Sequence, residues 1–185
     1  MLNANEAILK LKEGNEKFVK CEQGIGDVSM LIRKRTADAG QHPYAIIITC
    51  SDSRVIPESI FNAGIGDLFV IRVAGNVMDN HQLGSVEYAA EHLDAKLIVV
   101  LGHTMCGAVD AAMNHDPEGY IKFITDEISK AIGDEKDEAT ACCLNVKHSI
   151  EIIESSFEIR QEEAEHGLKV VGALYHLEDG RVEFL

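Results

Sequence analysis

Two unbroken apolar runs, Ala45-Ile46-Ile47-Ile48-Thr49 and Leu97-Ile98-Val99-Val100-Leu101-Gly102, dominate the hydrophobic pattern of the chain. Each is too short for a helix and rich in β-branched residues, so each predicts a strand buried on both faces. A third strand is expected at Leu68-Phe69-Val70-Ile71, after the turn Gly64-Ile65-Gly66, which lacks the third glycine and the helix of a dinucleotide loop. Between Gly84 and Lys96 the apolar stripe Val86, Ala89, Ala90 and Leu93 has the spacing of a crossover helix packed on a sheet. Upstream, Ile8, Leu11, Phe18 and Val19 among Lys and Glu predict an amphipathic helix over 3–20, with Asn3 or Asn5 as cap. Gly24-Ile25-Gly26 ends that pattern, a charged segment runs through Arg33-Lys34-Arg35, and Gly40-Gln41-His42-Pro43 is a turn that starts the first strand.

Beyond the Leu97 strand, the small residues Gly107, Ala108, Ala111 and Ala112 predict a helix packed close to the sheet. Further helices are expected over 119–132 and 140–165, joined by the solvated acidic stretch 133–138, with a short helical piece after Pro57. Gly167 to Leu185 reads as strand, Asp179-Gly180 turn and strand. Short apolar strands separated by helices specify an α/β fold: a mostly parallel central β-sheet flanked by helices, with an amino-terminal helical arm. The expected organisation is one domain over 1–185, the arm taking 1–40 and the α/β core 41–185. Sites in such sheets lie beyond the carboxyl ends of the strands.

With 46% hydrophobic residues in 185, the chain can bury a full core. Its formal charge of −14 argues against nucleic acid or an anionic membrane as partner, because both require basic patches. No apolar run is long enough to span a bilayer, and Met1-Leu2-Asn3-Ala4-Asn5-Glu6 does not resemble the start of a secretory signal, so a cytoplasmic location is expected. Five cysteines without a pairing pattern point to reduced thiols rather than a disulfide framework.

Chemistry concentrates at two strand ends. The first run delivers Cys50-Ser51-Asp52-Ser53-Arg54; the Leu97 run ends in His103-Thr104-Met105-Cys106-Gly107. Cys50, His103 and Cys106 together offer two thiolates and an imidazole, a set that suits tetrahedral zinc and leaves a fourth position open. Asp52 is a conditional fourth ligand, but Arg54 is placed to pair with it and keep it ionised. A catalytic zinc and a structural zinc closed by Asp52 both fit this pattern. Cys21, Cys142 and Cys143 are expected to pack or lie free, and His92, His115, His148, His166 and His176 show no ligand spacing.

Cys-x-Asp-x-Arg followed by His-x-x-Cys resembles the β-class carbonic anhydrases, over most of the chain from the amino-terminal helix to Val170-Val171-Gly172-Ala173-Leu174-Tyr175. The resemblance implies a zinc-dependent carbonic anhydrase that hydrates carbon dioxide reversibly to bicarbonate and a proton by attack of a zinc-bound hydroxide. It implies one Zn2+ per chain on Cys50, His103 and Cys106, with Asp52 and Arg54 orienting the hydroxide. Gln41 corresponds to the substrate-orienting glutamine, and Phe69 and Ala74 to the apolar carbon dioxide pocket, where Ala74 replaces a common valine. A homodimer or homotetramer is implied, with Gln41 and Phe69 acting across the interface. Family members regulated by bicarbonate carry a tryptophan where this chain has Ile47; Arg72 matches its arginine partner, but without the tryptophan no such regulation is expected. Related hydrolases of carbonyl sulfide or carbon disulfide use a similar site and are the alternative function.

Two thiolates neutralise the zinc charge, so the bound water should be less acidic than in a three-histidine site, where its pKa is about 7, and activity should rise on the alkaline side. His81 is a candidate proton shuttle, against the plainer reading of a solvated loop histidine.

Overall fold

The computed structural model describes residues 2–21 and 25–185. A five-stranded sheet forms from β1 (Ala45–Thr49), β2 (Leu68–Arg72), β3 (Leu97–His103), β4 (Lys169–Tyr175) and β5 (Val182–Phe184), in the order β2-β1-β3-β4-β5. All neighbours are parallel except β4 and β5. The helices are α1 (Ala4–Val19), α2 (Met30–Ala39), α3 (Pro57–Ile60), α4 (Asn80–His92), α5 (Gly107–Asn114), α6 (Ile121–Ile132), α7 (Glu138–Ser155) and α8 (Phe157–His166). This is the mostly parallel α/β architecture the apolar runs predict.

Every residue of β1 and β3 is buried, as central strands covered on both faces must be. Their alternating side chains divide between two cores. Ala45, Ile47, Leu97, Val99 and Leu101 meet Ala7 and Leu11 of α1 and Ile60 of α3. Ile46, Ile48, Ile98 and Val100 meet Val86 and Ala89 of α4, Val146 and Ile153 of α7 and Ile159 of α8. A third cluster gathers Cys50, Cys106 and Cys142 with Val77, Val109, Ile128 and Leu174 beyond the carboxyl ends of the strands. The chain leaves β1 to one side for β2 and returns on the other for β3. The crevice between β1 and β3 is therefore the switch point where α/β sheets place their sites.

Four expectations shift in detail. Helix α2 occupies the stretch read as a charged segment: Ser29 caps it by accepting from the Ile32 amide, but Ile32 alone is buried, too little to make a stripe. Helix α4 starts at Asn80 rather than Gly84, because Asp79 and Gln82 form a capping box. The helix expected over 140–165 is two, since Ser156 ends α7 and caps α8 by accepting from the Ile159 amide. The Asp179-Gly180 turn is wider than a two-residue hairpin. Residues 176–181 connect β4 to β5, Gly180 takes φ 78°, and its amide donates to the His176 carbonyl at 2.9 Å. Buried Asn15 of α1 holds this connection, donating to the Gly180 carbonyl at 2.8 Å and accepting from the Val182 amide at 2.9 Å. Of the expected Gly24-Ile25-Gly26 break, Gly24 lies outside the described residues.

Gly14 sets how closely α1 approaches the end of α3: a Cβ there would land on the Phe61 carbonyl. Helix propensity alone would make Gly14→Ala stabilising by about 1 kcal/mol. Overpacking against backbone costs about 1–3 kcal/mol and should win. Urea unfolding should therefore show Gly14→Ala less stable than the parent.

Candidate metal centre and active site

Cys50 follows the last residue of β1, and His103 is the last residue of β3. Thr49 lies opposite Leu101 in the parallel register, and its hydroxyl donates to the Leu101 carbonyl at 2.7 Å. The two strand ends are thereby locked side by side. The chain then turns through Thr104 and Met105, the latter in the left-handed region at φ 54°, and presents Cys106 at the start of α5. That turn is pinned to β4, because the Thr104 amide donates to the Tyr175 carbonyl at 3.0 Å and its hydroxyl accepts from the Leu177 amide at 3.1 Å.

The ligand atoms of Cys50, His103 and Cys106 lie within 4.8 Å of one another, and all three residues are buried. His103 Nδ1 is 2.9 Å from the Thr104 carbonyl. A carbonyl only accepts, so Nδ1 carries the proton and Nε2 exposes its lone pair. Nε2 is buried with no hydrogen-bond partner among the described residues. A buried unpartnered nitrogen aimed at two sulfurs is costly for a protein and suited to a cation.

The thiols behave accordingly. Cys50 is brought down, first by its bond from Cys106 and then, against burial, by His103 and the Gly75 and Asp52 amides. Cys106 is pushed up by the same bond and by burial, with the Ala108 and Val109 amides opposing. To bind a cation both thiols must be deprotonated, so metal binding here would release protons. Burial works against a charged His103, but the Cys50 sulfur and the Thr104 carbonyl raise its pKa overall.

Asp52 sits beside this cluster with its side chain 17% exposed. Arg54 donates Nε to Oδ1 at 2.9 Å and Nη2 to Oδ2 at 2.7 Å, while its amide also donates to Oδ1 at 2.9 Å. The Arg54 guanidinium holds the Asp52 carboxyl well below the usual carboxylate range, against burial. Arg54 Nη2 reaches on to the Met105 carbonyl at 3.1 Å, tying the Cys50 turn to the His103 turn.

A family model described as carbonic anhydrase matches residues 45–182. The chain belongs to the β-class carbonic anhydrase family. Carbonic anhydrase 2 of Mycobacterium tuberculosis is 40% identical over 182 residues, covering 92% of this chain and 87% of the relative. The carbonic anhydrase of Mycolicibacterium smegmatis is 37% identical over 185 residues, covering 94% and 89%. Among solved structures, the β-carbonic anhydrase CafA of Aspergillus fumigatus matches with a TM-score of 0.77 at 26% identity, covering 98% of this chain and 89% of that one. A tetrameric β-carbonic anhydrase of Sordaria macrospora matches with a TM-score of 0.74 at 27% identity, covering 84% and 91%. The protein is an enzyme, a carbonate dehydratase of the lyase class.

In this carbonic anhydrase, Cys50, Asp52, Arg54, His103 and Cys106 come together as the motif spacing predicts. Ala74 lies nearby, since the amide of the next residue, Gly75, donates to Cys50 Sγ at 3.2 Å. Gln41 and Phe69 are elsewhere. Gln41 is exposed and lines a cleft with Arg33, Thr36, Ala37, Ile65 and Gly66. Phe69 pairs with Ile46, four residues before Cys50, which at about 3.3 Å per residue is some 13 Å down the strand; its ring packs near Tyr88. His81 stands in the first turn of α4, almost fully exposed beside Asp79.

Three contributors act in ways that the motifs do not specify. Arg72 donates to the carbonyls of Cys50 at 3.1 Å and Asp52 at 2.8 Å, bracing the turn that carries both. Gly75 supplies an amide to the Cys50 sulfur, and Asn145 of α7 holds Gly75. Only Arg72 was singled out in the sequence, and there as the match to the arginine of the family's bicarbonate site, not as a brace for this turn.

Arg54→Lys keeps the charge but loses the two-pronged fork. Asp52 would drift back toward an ordinary carboxyl, which is still ionised at pH 8. Carbon dioxide hydration at pH 8 should nevertheless fall about 10- to 100-fold, because orientation rather than charge is lost. Stopped-flow hydration assays of parent and variant provide the check.

Proposed function

We propose that the chain is a zinc-dependent carbonic anhydrase converting carbon dioxide and water reversibly to bicarbonate and a proton, with residues 1–185 acting as one catalytic domain. The observation that carries this reading is the convergence of two thiols and a tautomer-fixed imidazole within 4.8 Å, with His103 Nε2 bare of any partner among the described residues. Two soft sulfurs and one nitrogen suit zinc, and three protein ligands leave a position for substrate water. One Zn2+ held by Cys50, His103 and Cys106 would supply a Lewis acid that lowers the pKa of bound water.

Asp52 then has a defined role. Held ionised by Arg54, it can only accept hydrogen bonds, so it would accept one from the O–H of the attacking oxygen and leave that oxygen's lone pair facing carbon dioxide. We read Asp52 as resting on Arg54, not on the metal. Arg72 keeps the Cys50 to Asp52 backbone from shifting as charge develops. Ala74 would lend an apolar wall for carbon dioxide, beside Val73 and Val77, which pack in the same cluster as Cys50 and Cys106. Since Arg72 is engaged with these carbonyls and Ile47 is buried in the core, bicarbonate regulation through this arginine is not expected.

The site also calls for a second copy of the chain. Gln41 and Phe69 do not approach Cys50 of their own chain, yet β2 is an edge strand whose apolar residues are only partly buried. Met30 and Leu31 of α2 are widely exposed. A homodimer or homotetramer that pairs these surfaces would deliver Gln41 and Phe69 to a neighbouring site, and the Sordaria macrospora relative is described as tetrameric. Free rather than paired cysteines support a cytoplasmic setting. No helix among the described residues is long and apolar enough to cross a membrane.

Purified protein should hold one zinc per chain and hydrate carbon dioxide at a rate that rises from about pH 6.5 to 9, because the two thiolates make the bound water a weaker acid. Cys106→Ser should lose metal and activity together. A flat pH profile, or faster turnover of carbonyl sulfide or carbon disulfide than of carbon dioxide in parallel assays, would overturn the reading.

A further inference from the structure

The turn Ala74-Gly75-Asn76 stands between the proposed metal ligand Cys50 and helix α7, and α7 grips it with two buried polar side chains. Asn145, 1% exposed, donates Nδ2 to the Gly75 carbonyl at 2.7 Å. Ser149, equally buried and one helical turn on, donates its hydroxyl to the Asn76 carbonyl at 3.0 Å. The turn is held in the left-handed region, Gly75 at φ 67° and Asn76 at φ 46°. It is also packed tight: a Cβ on Gly75 would come within 2.7 Å of Ile128 Cδ1 and 3.0 Å of Ala108 Cβ. At its other side the Gly75 amide donates to Cys50 Sγ at 3.2 Å.

The rest of the inward face of α7 is mostly apolar, built from Ala141, Cys142, Val146 and Ile153. Packing alone gives no reason for an asparagine there, because a buried amide costs free energy unless bonded. Asn145 is not even fully bonded. Its Oδ1 has no partner among the described residues, and neither does Asn76 Nδ2 beside it in the same network. The group that is satisfied is the one that reaches the turn behind the Cys50 sulfur.

We infer that Asn145 is a positioning residue for the metal centre: by holding the Gly75 carbonyl it fixes the turn that aims the Gly75 N–H at the Cys50 sulfur, and so sets how strongly that sulfur donates to the metal. The inference rests on the reading of Cys50, His103 and Cys106 as metal ligands. An amide bonded to a ligating thiolate stabilises its lone pair and weakens donation, so the metal keeps more positive charge and acidifies its water more. Releasing the turn reverses each step. The sulfur donates more strongly, its donor level rises, and the ligand is held less firmly in place.

The test replaces zinc by cobalt(II), whose thiolate-to-metal charge-transfer band in the near ultraviolet reports the energy of the sulfur lone pairs without reference to turnover. Asn145→Leu keeps the volume and removes the hydrogen bond; Ser149→Ala frees the Asn76 carbonyl and also removes the hydroxyl's second, intrahelical contact with the Asn145 carbonyl at 3.1 Å, while leaving the Asn145 side chain in place. Asn15→Ala, which removes a buried asparagine from the α1 side of the fold, controls for lost stability. Asn145→Leu should keep one cobalt per chain, move the band to longer wavelength and release zinc to a chelator about 10-fold faster. Ser149→Ala should move the band less and in the same direction, and Asn15→Ala not at all. A parent-like band and parent-like zinc release in Asn145→Leu overturn the inference while leaving the metal site intact. If Asn145→Leu does not fold, an unmoved band in Ser149→Ala overturns it equally. Absence of any thiolate-to-cobalt band in the parent overturns the metal reading, and the inference with it.

Discussion

The parallel pairing of β1 with β3 is the constraint on which the rest depends. Cys50 and His103 lie at opposite ends of a long excursion through α3, β2 and α4, yet the register that sets Thr49 against Leu101 brings them side by side. Both strands are buried on both faces, and slipping such a pair would misplace two cores at once. The rigidity of the site is thus borrowed from the hydrophobic effect. The strand pairing, rather than the turns alone, thus brings the three ligand atoms within 4.8 Å of one another.

Around that anchor the turns are fastened by backbone and charged groups in a consistent pattern. Arg72 takes hold of the Cys50 turn from β2, Arg54 joins it to the His103 turn, and the Thr104 pair of bonds ties the latter to β4. Each guanidinium has a carbonyl as well as any charge partner. Arg54 is half exposed, and an isolated surface ion pair of that kind contributes about 0–1 kcal/mol. Its importance is therefore geometric: the fork fixes both oxygens of Asp52 in a known plane beside the ligand cluster.

Much of this was legible in the chain because the chemistry lies on the most regular elements. Apolar runs mark β1 and β3 whatever surrounds them, and the residues that end or follow each run form the candidate site. What escaped was decided by single hydrogen bonds. The division of α7 from α8 hangs on one serine hydroxyl, and the start of α4 on one capping box. The α1 clamp on the 176–181 connection hangs on one asparagine, far away in sequence. Arg72 was visible as a cation, but its carbonyl partners depend on β2 lying beside β1, and no local pattern encodes adjacency. Asn145 gave less: within α7 it reads as a neutral polar residue, and only the contact with Gly75 reveals a direction.

The position of Phe69 carries the argument one step further. On a strand the side chain cannot travel, so a residue set about 13 Å below Cys50 on its own sheet remains there in every state that keeps β2 paired to β1. If Phe69 shapes the carbon dioxide pocket, the pocket it shapes belongs to another chain. The same holds for Gln41, whose cleft borders α2 and not the cysteine cluster. An edge strand with half-buried apolar residues is the surface that natural sheets either cover or use. On this reading β2 serves twice, bracing the site of its own chain through Arg72 and completing its neighbour's through Phe69. Association would then be a condition of catalysis rather than an addition to stability.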